Sequence, residues 1–318
     1  MQILGIDSLD YGVENLDQAI RFYGDWGLEL RSSGPSAAEF ALADGTTIGI
    51  RDARDAVLPP ARINWEHLGA STMREVTWGV DNDATLDAIG AELSKDRPVR
   101  SEADGSLHAT DDLGFHIAFR VSRRAQIASQ LPDTNSVDNA AWRNLPAEGA
   151  ERIRAKPLRF GHIVYWVPGN LPDAAAFYVD RFGFRNTDNV TGGGVFLRCR
   201  GTNDHHNLLL QSGGDYLGFQ HVAFEFRNFD AIMLLGANME NNGWRTNLGP
   251  LRHSIGSSIS WYLWNPAGGL AEAYCDMDYA DDDWVVRNID PTDPSFYGHS
   301  WNARPEQAGR RPADLHDD

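Results

Sequence analysis

The chain has 318 residues, room for about two ordinary domains, and sets 28 Lys and Arg against 45 Asp and Glu for a net charge of −17. That acidic balance disfavours nucleic acid or an anionic membrane as a partner, because both require a basic surface. No apolar run approaches the roughly 20 residues that span a bilayer, the start at Met1 shows no signal-peptide pattern, and Cys199 and Cys275 are too few for a disulfide framework, so a cytoplasmic protein is expected.

In chain order, a short apolar strand around Asp7 runs into Asn15-Leu16, and helical periodicity covers Leu16 to Trp26 before the turn at Gly27. The polar, Pro-containing stretch Arg51 to Ala70 reads as a loop. Strands follow at Arg74-Glu75-Val76-Thr77-Trp78 and around His116 to Phe119. Ala125 to Pro157 reads as a linker. The second half places strands around His162, His221 and Glu272, with a helix from Asp173 to Phe182. The tail from Asp281 is rich in Pro, Asp and Arg, but Trp284, Phe296, Tyr297 and Trp301 suggest that its first part packs down. The expected division is 1–124, a linker at 125–157, a second module at 158–280, and a tail at 281–318.

The two halves repeat one another. With Asp7 set on His162, Asn15-Leu16 falls on Asn170-Leu171 and Phe22-Tyr23 falls on Phe177-Tyr178. Farther on, the Glu75 strand resembles the His221 strand, and Asp112 to Phe119 resembles Pro266 to Ala273. Three matches in the same order point to a duplicated unit. The halves differ in chemistry: Asp7, Glu75 and Ala118 in the first occupy the positions of His162, His221 and Glu272 in the second. Without an imidazole partner, Asp7 and Glu75 read as a vestigial site.

Two imidazoles and a carboxylate form the facial ligand set that leaves open positions on a divalent cation. Buried on apolar strands, such groups require compensation, and a metal supplies it. Cys275, three residues past Glu272, reads as packing, since a thiolate has the wrong softness for this set.

These residues resemble the type I extradiol ring-cleaving dioxygenases of the vicinal oxygen chelate superfamily, over nearly the whole chain. The resemblance implies an α+β fold of two tandem modules, each of two βαβββ units forming an open mixed barrel, with the metal in the C-terminal module only. It also implies an acid–base His about fifteen residues before the second ligand. His206 fits that spacing, with the adjacent His205 assigned to the opposite side of a strand and to a module surface. His253 and Tyr262 match the His and Tyr that precede the ligand Glu.

The resemblance further implies Fe(II), with Mn(II) as the alternative, a catecholic substrate, O2, and a closed homo-oligomer. The reaction would be cleavage beside one hydroxyl to a semialdehyde or keto acid. Imidazole suits the proton transfers such a reaction needs near neutral pH. The homoprotocatechuate branch carries an Asn two residues after the first ligand and an Arg five residues before the His of an Arg-His pair. Val164 and Leu248 stand there instead, which favours an apolar ring substituent, although Arg185, Arg198 or Arg245 could hold an anion. A glyoxalase-like isomerase or a non-catalytic binding protein of the same superfamily is the alternative reading.

Overall fold

The computed structural model describes residues 1–63, 70–127, 137 and 155–292, with the backbone of 299–300. Most of the expected linker, and Phe296, Tyr297 and Trp301 of the tail, lie outside the described residues.

The first half runs β1 (Ile3–Val13), α1 (Leu16–Asp25), β2 (Glu29–Ser33), β3 (Ala37–Ala41), β4 (Thr47–Asp52), β5 (Thr72–Val80), α2 (Asp83–Leu93), β6 (Arg100–Ser101), β7 (Leu107–Thr110) and β8 (His116–Val121). These strands form one mixed sheet in the order β2-β3-β4-β1-β5-β8-β7-β6. The second half runs β9 (Arg159–Pro168), α3 (Leu171–Phe182), β10 (Arg185–Val190), β11 (Gly194–Arg198), β12 (Leu208–Gly214), β13 (Gly218–Glu225), α4 (Phe229–Asn241), β14 (Thr246–Arg252), β15 (Ile259–Trp264) and β16 (Leu270–Cys275). Its sheet repeats the order of the first, and the tail adds β17 (Arg287–Ile289) and β18 (His299–Ser300) at its two edges. Each half is thus two βαβββ units whose first strands, β1 with β5 and β9 with β13, pair antiparallel at the sheet centre. Both sheets remain open.

Local sequence accounts for the helices. Asn15, Asn82 and Asn228 accept from the backbone N–H three residues on, satisfying a donor that the first helical turn leaves bare. Helix α3 ends on Gly183, whose φ of 75° is a left-handed cap that a Cβ would disfavour.

The halves pack reciprocally. Trp26, the C-cap of α1, packs on Phe224 and Phe226 of the second half, while Phe182 and Phe184 of the second half pack on Phe119 and Trp78 of the first. The polar contacts follow the same exchange. Asn265 donates to the Tyr23 hydroxyl at 3.0 Å, and the Tyr178 hydroxyl donates to Asp111 at 2.6 Å. Asp111 and Asn265 occupy equivalent turns before β8 and β16.

Strand pairing corrects one sequence alignment. Leu9 faces Val76 in the first sheet, and Ile163 faces Val222 in the second, which sets Ser8 rather than Asp7 at the position of His162. The helix caps Asn15 and Asn170 keep the original offset, because β9 runs one residue farther past Ile163 than β1 runs past Leu9. Asp7 turns elsewhere: its carboxylate accepts from Arg124 at 2.8 Å, Ser122 at 2.8 Å and Arg120 at 3.2 Å.

Candidate metal centre

Strands β9, β13 and β16 are neighbours in the second sheet. His221 is paired with Val164 on one side and with Leu270 on the other, so residues two away from those partners share its face. His162 and Glu272 are those residues. Adjacent strands lie roughly 4.8 Å apart, which brings three side chains from one face within reach of a single ion.

The three converge. His162 Nε2 lies 3.0 Å from Glu272 Oε2, His221 Nε2 lies 3.1 Å from the same oxygen, and the two imidazole nitrogens are 3.2 Å apart. All three side chains are buried, and they are the one group among the described residues with metal-holding geometry. Three donor atoms within 3.2 Å of one another could all bind one divalent cation, and two imidazoles with a carboxylate are a donor set such a cation accepts. Glu272 Oε2 and His162 Nδ1 are buried without hydrogen-bond partners. Lone pairs aimed at one point, with an orphaned carboxylate oxygen among them, fit a cation. Burial alone would raise the Glu272 carboxyl, but His162 and His221 outweigh it and hold it well below its usual range. The acid is an anion here.

Neighbouring groups orient the ligands. His221 Nδ1 donates to Gln220 Oε1, which leaves Nε2 free for a metal. Tyr262 hydrogen-bonds to Glu272, and His253 Nε2 lies 2.8 Å from the Tyr262 hydroxyl. Burial and the Glu272 charge push the Tyr262 phenol well up, so it remains a donor. His253 is half-buried and reaches within 3.9 Å of Glu272.

His206 packs against His162 with ring centroids 4.1 Å apart and the ring planes tilted by 40°. Burial, with His162 and His205 beside it, holds its imidazole well below the ordinary histidine range. Residues 204–207 do not form the expected strand: β12 begins at Leu208, and Asp204 makes an isolated bridge to Tyr279. His205 is also not at a surface. It is fully buried, with Nε2 2.8 Å from Asp188 Oδ2, because the chain after β16 covers it. Asn207 fastens this turn to the centre, donating to the Gly161 carbonyl beside His162 and to Asp204, and accepting from Cys199 N–H.

Val164 is buried two residues past His162 on the ligand face, and Leu248 pairs with Tyr262 across β14 and β15. Arg185 and Arg198 are engaged by Asp282, and Arg252 by Ser257 and Asp276. Sequence reasoning did not single out Asp188, Asn207 or Gln220. Gln220 alone carried a signal, as a polar side chain next to a proposed ligand.

The first half has no such centre among its described residues. Glu75, at the His221 position, bonds His108 Nδ1 at 3.0 Å, and His108 Nε2 bonds Ser106 at 2.8 Å. A cavity of about 610 Å³ in that half is lined by Asp7, Glu39, Asp104 and Arg120 among others, and the triad takes no part in it.

The fold places the chain among known proteins. It aligns with homoprotocatechuate 2,3-dioxygenase from Arthrobacter globiformis at a TM-score of 0.74 and 18% identity, over 97% of this chain and 91% of that one. The fold is that of the extradiol dioxygenases. A Mn(II)-bound glyoxalase from Novosphingobium aromaticivorans shares the fold, at a TM-score of 0.70 and 22% identity over 94% and 92% of the two chains. In sequence, metapyrocatechase 2 of Cupriavidus necator is 28% identical over 126 residues. That match spans 40% of this chain and 39% of the relative. No protein-family model matches. No helix among the described residues is long and apolar enough to cross a membrane.

Proposed function

We propose that this chain is an Fe(II)-dependent extradiol dioxygenase, opening the ring of a catechol beside one hydroxyl with O2. The carrying observation is the 3.0–3.2 Å triangle of His162, His221 and Glu272, with His206 and the His253–Tyr262 pair arranged around it. A divalent cation bound there would supply open positions for both catechol oxygens and for dioxygen. Both atoms of O2 enter the ring-opened product, and the aromatic ring supplies the electrons, so no external reductant is required.

The protein's own groups handle protons and orientation. His206 is neutral at pH 7 because burial disfavours its cation, so it can accept a hydroxyl proton and later return it. Tyr262 and His253 act as donors to oxygens that gain negative charge. Val164 and Leu248 line the ring site, and Asp282 occupies two of the three arginines that could hold an anion, Arg185 and Arg198 but not Arg245, so an apolar substituent suits the pocket better than a carboxylate.

The test is oxygen uptake with a yellow ring-opened product when the Fe(II)-loaded protein meets a catechol. Turnover of 2,3-dihydroxybiphenyl or 3-methylcatechol should exceed that of homoprotocatechuate, and preference for the last would overturn the apolar pocket. The Mn(II)-bound glyoxalase neighbour supports a second reading, a metal-dependent isomerase. Metal-dependent turnover of a hemithioacetal without O2 uptake would favour it.

A further inference from the structure

We propose that Asp188 and His205 form a positioning dyad that puts the His206 proton on Nδ1 and leaves Nε2 as a bare base, and that the segment from Asp281 to Ile289 is the strap holding the dyad in place. The inference rests on the reading of His206 as the acid–base group.

The Asp188 carboxylate is fully buried and accepts from Arg287 Nε at 2.9 Å and from the Arg287 backbone N–H at 3.2 Å. The second guanidinium nitrogen of Arg287 also pairs with it. Burial alone would raise the carboxyl, yet the hydrogen bonds from His205 and Arg287 outweigh that and hold it below its ordinary value. An ionised carboxylate only accepts, so His205 Nε2, at 2.8 Å, must be the donor. Arg287 already balances the Asp188 charge, so the dyad needs only the Nε2 proton of His205, and its Nδ1 is left to accept. That nitrogen lies 3.1 Å from His206 Nδ1. One of two facing nitrogens must carry the proton, and only His206 Nδ1 remains to do so. The lone pair of His206 is therefore on Nε2. In water, a neutral imidazole side chain favours the opposite tautomer, with the proton on Nε2, so the dyad reverses an intrinsic preference.

The strap explains why the dyad does not relax. Strand β17 pairs with β10, the strand that carries Asp188. Trp284 covers His205 with ring centroids 5.4 Å apart and donates from Nε1 to the Thr187 carbonyl at 3.0 Å. Arg198 ties the start of the strap by bonding the Asp281 carbonyl at 2.9 Å. The His205 backbone N–H donates to Asp278 O at 3.0 Å.

Glutamine can replace His205 as a relay, accepting from His206 and donating to Asp188, whereas leucine fills the space and does neither. Imidazole 15N–1H correlation spectra of the metal-free protein read the tautomer directly. His206 should show the Nδ1–H form in the wild type and in His205→Gln, and the Nε2–H form in His205→Leu. An Nε2–H signature for His206 in the wild type overturns the proposal, whatever the activity. In the Fe(II)-loaded protein, His205→Leu should lower kcat at least about tenfold with KM and iron content unchanged, His205→Gln should restore it, and His205→Leu should add nothing to His206→Phe. A loss that follows iron content, or that adds in full to His206→Phe, contradicts it. If the wild type turns over no catechol, the functional reading fails, and the spectra still decide the dyad.

Discussion

At the scale of single residues, the centre depends on side chains whose neighbours leave them one orientation. Gly161 precedes His162, and a Cβ built there would sit 2.2–2.5 Å from Tyr274 ring and hydroxyl atoms. Gly161→Ala is therefore predicted to cost roughly 1–3 kcal/mol and to weaken metal binding by displacing His162, both measurable by thermal unfolding with and without Fe(II). His206 makes a different prediction, because it flanks the triad without belonging to it. His206→Phe should retain iron and lose roughly 10²-fold in kcat, the usual general acid–base contribution. Loss of iron in that variant would make His206 a ligand and revise the centre.

At the scale of elements, three adjacent strands set the spacing and the tail sets the tuning. Arg287 on β17 is paired with buried Asp188 although its own side chain is 44% exposed. Arg287→Leu should lower stability by roughly 1–2 kcal/mol, less than for a fully buried pair, since water can partly replace the guanidinium. Urea denaturation of the variant checks this. The ligand strands were legible in sequence because imidazole and carboxylate interrupt apolar runs, and the Asn helix starts were legible because capping is local. The Ser8 correspondence was hidden by irregular pairing within β1, which no sequence offset reveals. Asp188 was hidden because its partners are His205, 17 residues on, and Arg287, 99 residues on. Strand periodicity was the wrong guide for His205 and His206, which lie in a turn.

At the scale of the whole molecule, duplication gives two halves that support one another, while the triad lies in the second half alone among the described residues. The exchanged contacts Asn265–Tyr23 and Asp111–Tyr178 run in opposite hydrogen-bond directions, and only Asp111 is ionisable. Burial, partly offset by the hydrogen bond from Tyr178, raises its pKa to about 6. The folded state then binds a proton more tightly than the unfolded one. The resulting stabilisation is full below about pH 4 and is lost as pH rises through about 6. Asp111→Asn, which copies Asn265, should remove this dependence. Relative to that variant, the wild type should lose up to about 3 kcal/mol between pH 4 and 7, as read from denaturation midpoints across pH. The repeat was visible in the sequence through Phe22-Tyr23 and Phe177-Tyr178, but the exchange of partners between halves required the folded chain.

The central claim is that His162, His221 and Glu272 hold one redox-competent ferrous ion that lets a catechol react with O2. The most direct measurement is the stoichiometry of an anaerobically Fe(II)-loaded sample, assayed for bound iron and then for O2 consumed per catechol added. The account predicts one iron per chain, absent in Glu272→Ala, and one O2 consumed for each ring opened. A protein that binds no iron under these conditions, or that binds it and consumes no O2 with any catechol, contradicts the account.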